Sequence, residues 1–348
     1  MTLEILDRLL TRQELSTSQV RALVARLVDP ATDDLARAAL LVALRMKGET
    51  PGEILAFAHE LRRRSMSFPG PRKDGAVDLC GSGGARTPSF NIGTVSAFVV
   101  RAAGVPVAKH GNRSARGSVK GYAGSSDLLE ALGLPVATSR DFARESYRQH
   151  GIAFLHAPLY HTATSAVMAV RRGLGIPTIF NQLGPLTNPA GVPFQVVGCP
   201  NPEVAERVSQ VLPALGVRGG LAVAGDDGSD EFSPTGSSTC VIWSHGRRSH
   251  RRIRASDLIE PEDCRGPWGP LPAAAAAEEA NRLLAGGGGA RRGSILLTSG
   301  AALWVSGRAA NLPTGVKLAA LALDSGRAEG LLRALQALAA SRRWAEGG

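Results

Sequence analysis

The chain has 348 residues, 44% of them hydrophobic and 20% charged, with a net charge of +10. This length and composition fit a soluble globular protein of about two domains, with a core that needs no disulfide or metal staple, and exclude collagen-like, coiled-coil and disordered chains. No run of about 18 apolar residues occurs, so no membrane span is expected. The charge favours an anionic partner. It is nearly all arginine, however: the lysines are Lys47, Lys73, Lys109, Lys120 and Lys317. That bias is compositional and weakens the charge as a functional signal. The segment Met1–Arg8 lacks the basic-then-apolar order of a signal peptide. Cys80, Cys199, Cys240 and Cys264 are far apart and form no Cys-x-x-Cys pair. Neither zinc nor a disulfide framework is expected, and a reducing cytoplasm is.

Up to Ser65 the chain reads as three helices. Ser16 with Gln19 is a capping box, and Val20, Leu23, Val24, Leu27 and Val28 follow at helical spacing until Pro30. Leu35, Ala38, Ala39, Val42 and Ala43 form the next stripe, which ends near Gly48. Thr50-Pro51-Gly52-Glu53 opens a third helix, with Ile54, Leu55, Phe57, Ala58 and Leu61 on its apolar face. Ser65 to Gly75 reads as a linker. Beyond it, short apolar runs alternate with helical patterns: Ala76–Cys80, Val105–Ala108, Ile152–Leu155, Thr178–Asn181, Val196–Cys199, Leu221–Ala224 and Cys240–Trp243. Such alternation predicts an α/β domain with a largely parallel sheet. A helix is expected over His161–Leu174. Arg247–Arg254 reads as a solvated hairpin or loop, and Ala273–Ala277 as a helix.

The chemistry concentrates in four places. Gly81-Ser82-Gly83-Gly84 follows the first strand, and Asn91-Ile92-Gly93-Thr94 opens a helix. This is either a bare strand-to-helix turn or a cradle of backbone N–H groups for an anion. Lys109-His110-Gly111-Asn112-Arg113 ends the second strand with four side chains able to donate hydrogen bonds, at the sheet edge where open α/β folds bind ligands. Gly124-Ser125-Ser126-Asp127 is a second glycine- and serine-rich helix start. Two cradles with Lys and Arg between them suit a substrate with separated phosphates. Asp226-Asp227-Gly228-Ser229-Asp230-Glu231 follows a strand and offers hard oxygen ligands for Mg²⁺, which usually also takes substrate phosphate oxygens. Arg171, near the end of the fourth expected helix, either caps carbonyls or forks onto a substrate carboxylate. Gly184–Pro189 reads as rigid scaffold.

These motifs, in this order, resemble the anthranilate phosphoribosyltransferase family: Gly-Ser-Gly-Gly with Phe-Asn-Ile-Gly-Thr, Lys-His-Gly-Asn-Arg, Gly-Ser-Ser-Asp-Leu-Leu-Glu-Ala-Leu-Gly, Phe-Asn-Gln-Leu-Gly-Pro-Leu-Thr-Asn-Pro and Asp-Gly-Ser-Asp-Glu. The resemblance runs from the first helices to about Leu338. It implies a glycosyltransferase family 3 type fold, shared with nucleoside phosphorylases. That fold has a small all-α domain over 1–68 and an α/β domain over 74–348, the segment 161–175 packing on the small domain. It implies transfer of phosphoribosyl from phosphoribosyl diphosphate to the amine of anthranilate in tryptophan biosynthesis, by a homodimer using Mg²⁺. By position, Gly81, Gly84, Asn91, Gly93, Thr94, Lys109, Ser118 and Ser125 would hold phosphoribosyl diphosphate. Gly81, Asn112 and Arg171 would hold anthranilate, and Asp230 and Glu231 the metal. No side chain need act as a strong base; positioning and electrostatics carry the reaction.

The chain departs from the family near the diphosphate. Ala85 stands where the family has an acid, with Arg86 after it. Gly93 replaces a serine whose hydroxyl would ligate one Mg²⁺, so Gly93→Ser is expected to lower the Mg²⁺ requirement. The loop after Arg113, with Arg116 and Lys120, is longer, and Thr162 follows His161. These changes keep two alternatives in view: a paralogous phosphoribosyltransferase with another aromatic amine as acceptor, and a non-catalytic nucleic-acid binder. Retention of Lys109, Asn112, Arg171, Asp230 and Glu231 argues against the second.

Overall fold

The computed structural model describes residues 2–82, 85–114, 121–244, 246–341 and 344. Four helices, not three, open the chain: α1 (Thr2–Leu10), α2 (Thr17–Val28), α3 (Asp34–Lys47) and α4 (Pro51–Arg64). The buried stripe of α1 is just Ile5 and Leu9, too short to stand out by periodicity. The Ser16–Gln19 box forms, with Gln19 N–H donating to Ser16 Oγ at 3.3 Å and Ser16 N–H to Gln19 Oε1 at 2.9 Å. Glu53 closes the second box on Thr50 N–H at 2.9 Å and also accepts from Leu15 N–H at 2.9 Å and Lys47 Nζ at 2.6 Å. One carboxylate thus ties three segments of the bundle together.

The remainder is a seven-stranded sheet in the order β3-β2-β1-β4-β5-β6-β7. Its strands are β1 (Val77–Gly81), β2 (Val107–Gly111), β3 (Ile152–His156), β4 (Phe194–Gly198), β5 (Gly219–Gly225), β6 (Ser237–Ser244) and β7 (Arg247–Arg254). The first five pair in parallel, β6 pairs antiparallel with β5, and β7 pairs antiparallel with β6. One face carries α5 (Ile92–Ala102), α6 (Ser125–Ala131) and α7 (Arg140–His150). After α8 (Ala157–Tyr160), α9 (Ser165–Leu174), α10 (Ile179–Leu183) and α11 (Pro202–Ala214), α12 (Ala273–Leu284), α13 (Ala290–Val305), α14 (Leu312–Asp324) and α15 (Arg327–Ala340) return to that same core. The other face packs on α11 and the helical bundle. Val197, Ala222, Val241 and Trp243 from the sheet join Leu23, Leu40 and Phe57 from the bundle.

Two expectations need correction. Thr178–Asn181 is not a strand. Thr178 and Asn181 cap α10, whose Ile179, Phe180 and Leu183 fall on one helical face and pack into the bundle core. The helix expected from His161 starts at Ser165, after a 3₁₀ turn over Thr162–Thr164. The expected solvated hairpin at Arg247–Arg254 is present: it is the edge strand β7, paired antiparallel with β6 and exposed along almost its whole length. Its charges suit an unpaired sheet edge. Arg248 and His250 pair with Glu206, and Arg252 with Asp226. No helix among the described residues is long and apolar enough to cross a membrane.

Candidate active site

A cavity of about 560 Å³ opens at the C-terminal ends of β1 and β2 and under the turn after β5. It is lined by Gly81, Asn91, Gly93, Thr94, Lys109, Asn112, Ser125, Arg171, Asp230 and Glu231, so the fold brings together every candidate residue it describes. Gly84 and Ser118, with Arg116 and Lys120, lie outside the described residues.

At one end, β2 delivers Lys109, α5 delivers Thr94 and α6 delivers Ser125. The Ser125 hydroxyl sits 3.0 Å from Thr94 Oγ1 and 3.4 Å from Lys109 Nζ. Lys109 is buried, and among the described residues no carboxylate forms an ion pair with it. A buried ammonium beside the Ser125 hydroxyl, itself bonded to Thr94, is built to meet an anion. Asn91 caps α5 by position, but its amide donates to the Ala123 carbonyl at 3.0 Å, so it ties the two helix starts together.

Facing this cluster are Asp230 and Glu231. The Asp230 backbone passes so close to β4 that a Cβ on Gly198 would lie 1.9 Å from its carbonyl oxygen, and glycine there is a steric necessity. Burial pushes Glu231 up to about 8, helped by neighbouring Asp230 and opposed by Lys109 and by the Gly93 N–H, which donates to its carboxylate. The first turn of α5 therefore already holds a carboxylate. Asp226 and Asp227 do not join the site; both are exposed on the outer side of the turn. No group of three or more His, Cys, Asp or Glu among the described residues is arranged around a metal. Two adjacent hard-oxygen carboxylates fit a Mg²⁺ that completes its shell with substrate oxygens and water.

At the other end, Arg171 of α9 stacks over Phe180 of α10, its Cζ 5.3 Å from the ring centroid. It is partly buried, which lowers its pKa, and among the described residues it has no ion-pair partner. It does not serve as a helix cap: the turn closes on Gly175, in the left-handed conformation.

His110 differs from expectation. Its Nδ1 lies 2.9 Å from the Gly184 carbonyl, which can only accept, so Nδ1 carries the proton. Burial lowers it to about 3 and His161 to about 4. The two rings pack at 5.1 Å, and both Nε2 atoms are buried without a partner. His110 is thus a neutral imidazole whose one proton is spent on Gly184 and whose Nε2 is buried, so it is not a donor at the cavity wall. The burial and the backbone partner that decide this are not visible in the motif.

The chain matches two family models. The glycosyl transferase helical bundle domain covers residues 3–65, and the glycosyl transferase a/b domain covers residues 73–329. An anthranilate phosphoribosyltransferase of Solibacter usitatus is 41% identical over 97% of this chain and 98% of that protein. The chain belongs to the anthranilate phosphoribosyltransferase family. The Desulfitobacterium hafniense member is 38% identical over 86% of this chain and 88% of its own length. The crystal structure of the Thermus thermophilus member superposes with a TM-score of 0.84 at 33% identity, covering 96% of this chain and 99% of that one. The Saccharomyces cerevisiae member, solved in complex with PRPP and Mg, has a TM-score of 0.83 at 23% identity, with 98% of each chain covered, and shares the fold. The family's α/β architecture with a small helical domain is that of this chain.

Proposed function

We propose that this protein transfers the phosphoribosyl group of phosphoribosyl diphosphate to the amine of anthranilate, giving N-(5-phosphoribosyl)anthranilate and diphosphate in tryptophan biosynthesis. One observation carries the reading. A single cavity joins a buried cationic and hydroxyl cluster (Lys109, Thr94, Ser125), a carboxylate pair (Asp230, Glu231) and an arginine with no ion-pair partner among the described residues (Arg171).

Lys109, Thr94 and Ser125 hold the phosphates of the donor, with Gly81 and Gly93 allowing close backbone approach; Gly84, Asn91 and Ser118 remain donor contacts of this proposal. Asp230 and Glu231 hold Mg²⁺, which when bound neutralises charge on the departing diphosphate. Arg171 takes the acceptor carboxylate as a fork, steadied by Phe180, with Asn112 and Gly81 beside it. The neutral imidazoles of His110 and His161 line the same end and need no change of protonation near neutral pH. Reactants held in line supply much of the acceleration.

The reading includes a helical domain over 1–68, an α/β domain over 74–348 and a homodimer. Leu3 and Leu10 of α1 and Leu35 and Met46 of α3 are exposed, and α1 packs on α3, an apolar face suited to a second copy. Free thiols at Cys80, Cys199, Cys240 and Cys264 suit the cytoplasm. A nucleic-acid role loses support because Arg248, His250 and Arg252 of β7 already have acidic partners.

The test is stoichiometric release of diphosphate and loss of anthranilate by the purified protein with Mg²⁺. Turnover with a different aromatic amine and not with anthranilate would reassign the acceptor. No turnover together with nucleic-acid binding that survives about 0.2 M salt would replace the enzyme by a binder.

A further inference from the structure

The cavity exists because β1 and β2 part company. Their ladder registers Val77 with Val107, whereas β1 stays with β4 over five positions, from Val77 with Phe194 to Gly81 with Gly198. Where the β1–β2 ladder gives out, a side chain reaches across. Asp78, the second residue of β1, is fully buried and accepts the His110 backbone N–H at 3.1 Å. Its other oxygen accepts Asn188 Nδ2 at 2.7 Å and Gln195 Nε2 at 3.4 Å.

Those two amides lead onward. Asn188 Nδ2 also donates to the Ala108 carbonyl at 2.9 Å, and Gln195 Nε2 to the Pro185 carbonyl at 2.8 Å. The turn suspended in this way, Gly184–Asn188, supplies the carbonyl that fixes the His110 ring, and Thr187 contributes a backbone bond to His161. Arg62 of α4 secures the back of the turn at the Leu186 carbonyl, 2.7 Å away. One carboxylate is therefore hydrogen-bonded both to the strand that carries Lys109 and to the turn that sets the opposite wall.

We propose that Asp78 is a positioning residue for the transfer: it braces the split between β1 and β2 and keeps the cationic cluster and the histidine wall in register across the cavity. It touches neither reactant. A buried carboxylate costs stability that a packed apolar residue would not. Its burial raises it to about 6, with Lys109 the largest opposing influence. A group kept at that cost, with every named bond directed at cavity-bearing backbone or turn, serves geometry. This inference rests on the transferase reading.

The test is Asp78→Asn, which keeps the shape but turns one acceptor into a donor facing the Asn188 amide. Expected are a 10- to 100-fold fall in kcat, donor diphosphate affinity by calorimetry within about threefold of wild type, and faster hydrogen exchange at the His110 amide. If Asp78→Asn does not fold, Gln195→Met serves, with an expected three- to tenfold fall in kcat at unchanged donor affinity. A kcat within twofold of wild type in a folded variant, or an unchanged His110 exchange rate, overturns the proposal. The exchange measurement needs no substrate, and absence of turnover in the wild type would count against the transferase reading instead.

Discussion

Gly93→Ser is the substitution on which the motif and the structure disagree. The motif says that a serine would supply a missing Mg²⁺ ligand. The structure says that the position has no room: a Cβ on Gly93 would lie 2.9 Å from the Leu79 carbonyl oxygen, in strand β1, and 3.7 Å from Lys109 Cε. Strand backbone cannot swing aside as a side chain can, so α5 must shift. Overpacking of this kind costs about 1–3 kcal/mol, offset by about 0.5–1 kcal/mol for removing a glycine from a helix. The net expectation is about 1–2 kcal/mol and a Tm lower by about 2–4 °C. The shift also moves the Gly93 N–H that donates to Glu231, so the Mg²⁺ requirement should rise or stay level. Gly93→Ala separates the causes, since it adds the same Cβ and no hydroxyl. Thermal melts and Mg²⁺ titrations of all three proteins decide it. If the serine variant is as stable as wild type and alone needs less Mg²⁺, the steric reasoning fails and the motif-based expectation stands.

Arg171→Ala should raise the acceptor KM by about 30- to 1000-fold, the equivalent of about 2–4 kcal/mol for a partly buried charge pair, with donor binding nearly intact; equal loss for both substrates would remove Arg171 from the acceptor end. Glu53→Gln leaves Lys47 buried beside a neutral amide and should cost about 3–5 kcal/mol in urea unfolding, and a loss below about 1 kcal/mol would mean the bundle does not depend on that junction. Asp78 binds a proton more readily folded, at about 6, than unfolded, at 3.8. Its contribution to stability is thus greatest below the unfolded value and is lost as pH rises to about 6. The unfolding free energy of wild type relative to Asp78→Asn should fall by about 3 kcal/mol across that window; a difference constant with pH would refute the raised value.

The parts of the fold that could be read from the sequence are those decided within a few residues. The capping boxes at Ser16 and Thr50 need just a hydroxyl and an amide or carboxylate three residues on, and both form. The strands ending at Gly81, Gly111 and Gly225 are mostly apolar because the sheet is covered on both faces, and they carry the candidate groups to one edge. Thr178–Asn181 misled because a β-branched start and an aromatic look like a strand until the bundle is present to take Ile179, Phe180 and Leu183 on one helical face. The tautomer of His110 and the bracing by Asp78 depend on Gly184 and Asn188, about 74 and 110 residues away along the chain, a separation that no local pattern encodes.

The acidic turn makes the same point in a form that can be tested. Four carboxylates occur within Asp226–Glu231, and nothing in their spacing says which two serve the site. The structure divides them by backbone. Gly225 ends β5, and a Cβ on it would lie 2.3 Å from Ser229 Oγ, so the turn folds tightly back on itself. Asp226 is left outside on Arg252 at 2.6 Å, and Asp227 caps the turn through the Ser229 N–H at 3.1 Å. The Asp230 backbone crosses β4 at Gly198 and carries Asp230 and Glu231 over the cavity. Asp226→Asn removes an exposed ion pair worth about 0–1 kcal/mol, and Asp227→Asn keeps an oxygen able to make the same turn. Both variants should retain wild-type kcat and Mg²⁺ dependence. Asp230→Asn removes a hard-oxygen ligand beside the diphosphate and should lower kcat/KM by about 100-fold or more, equivalent to about 2.7 kcal/mol. Activity loss in Asp226→Asn equal to that in Asp230→Asn would mean that the turn works as one acidic cluster and that its division between outer and inner carboxylates is wrong.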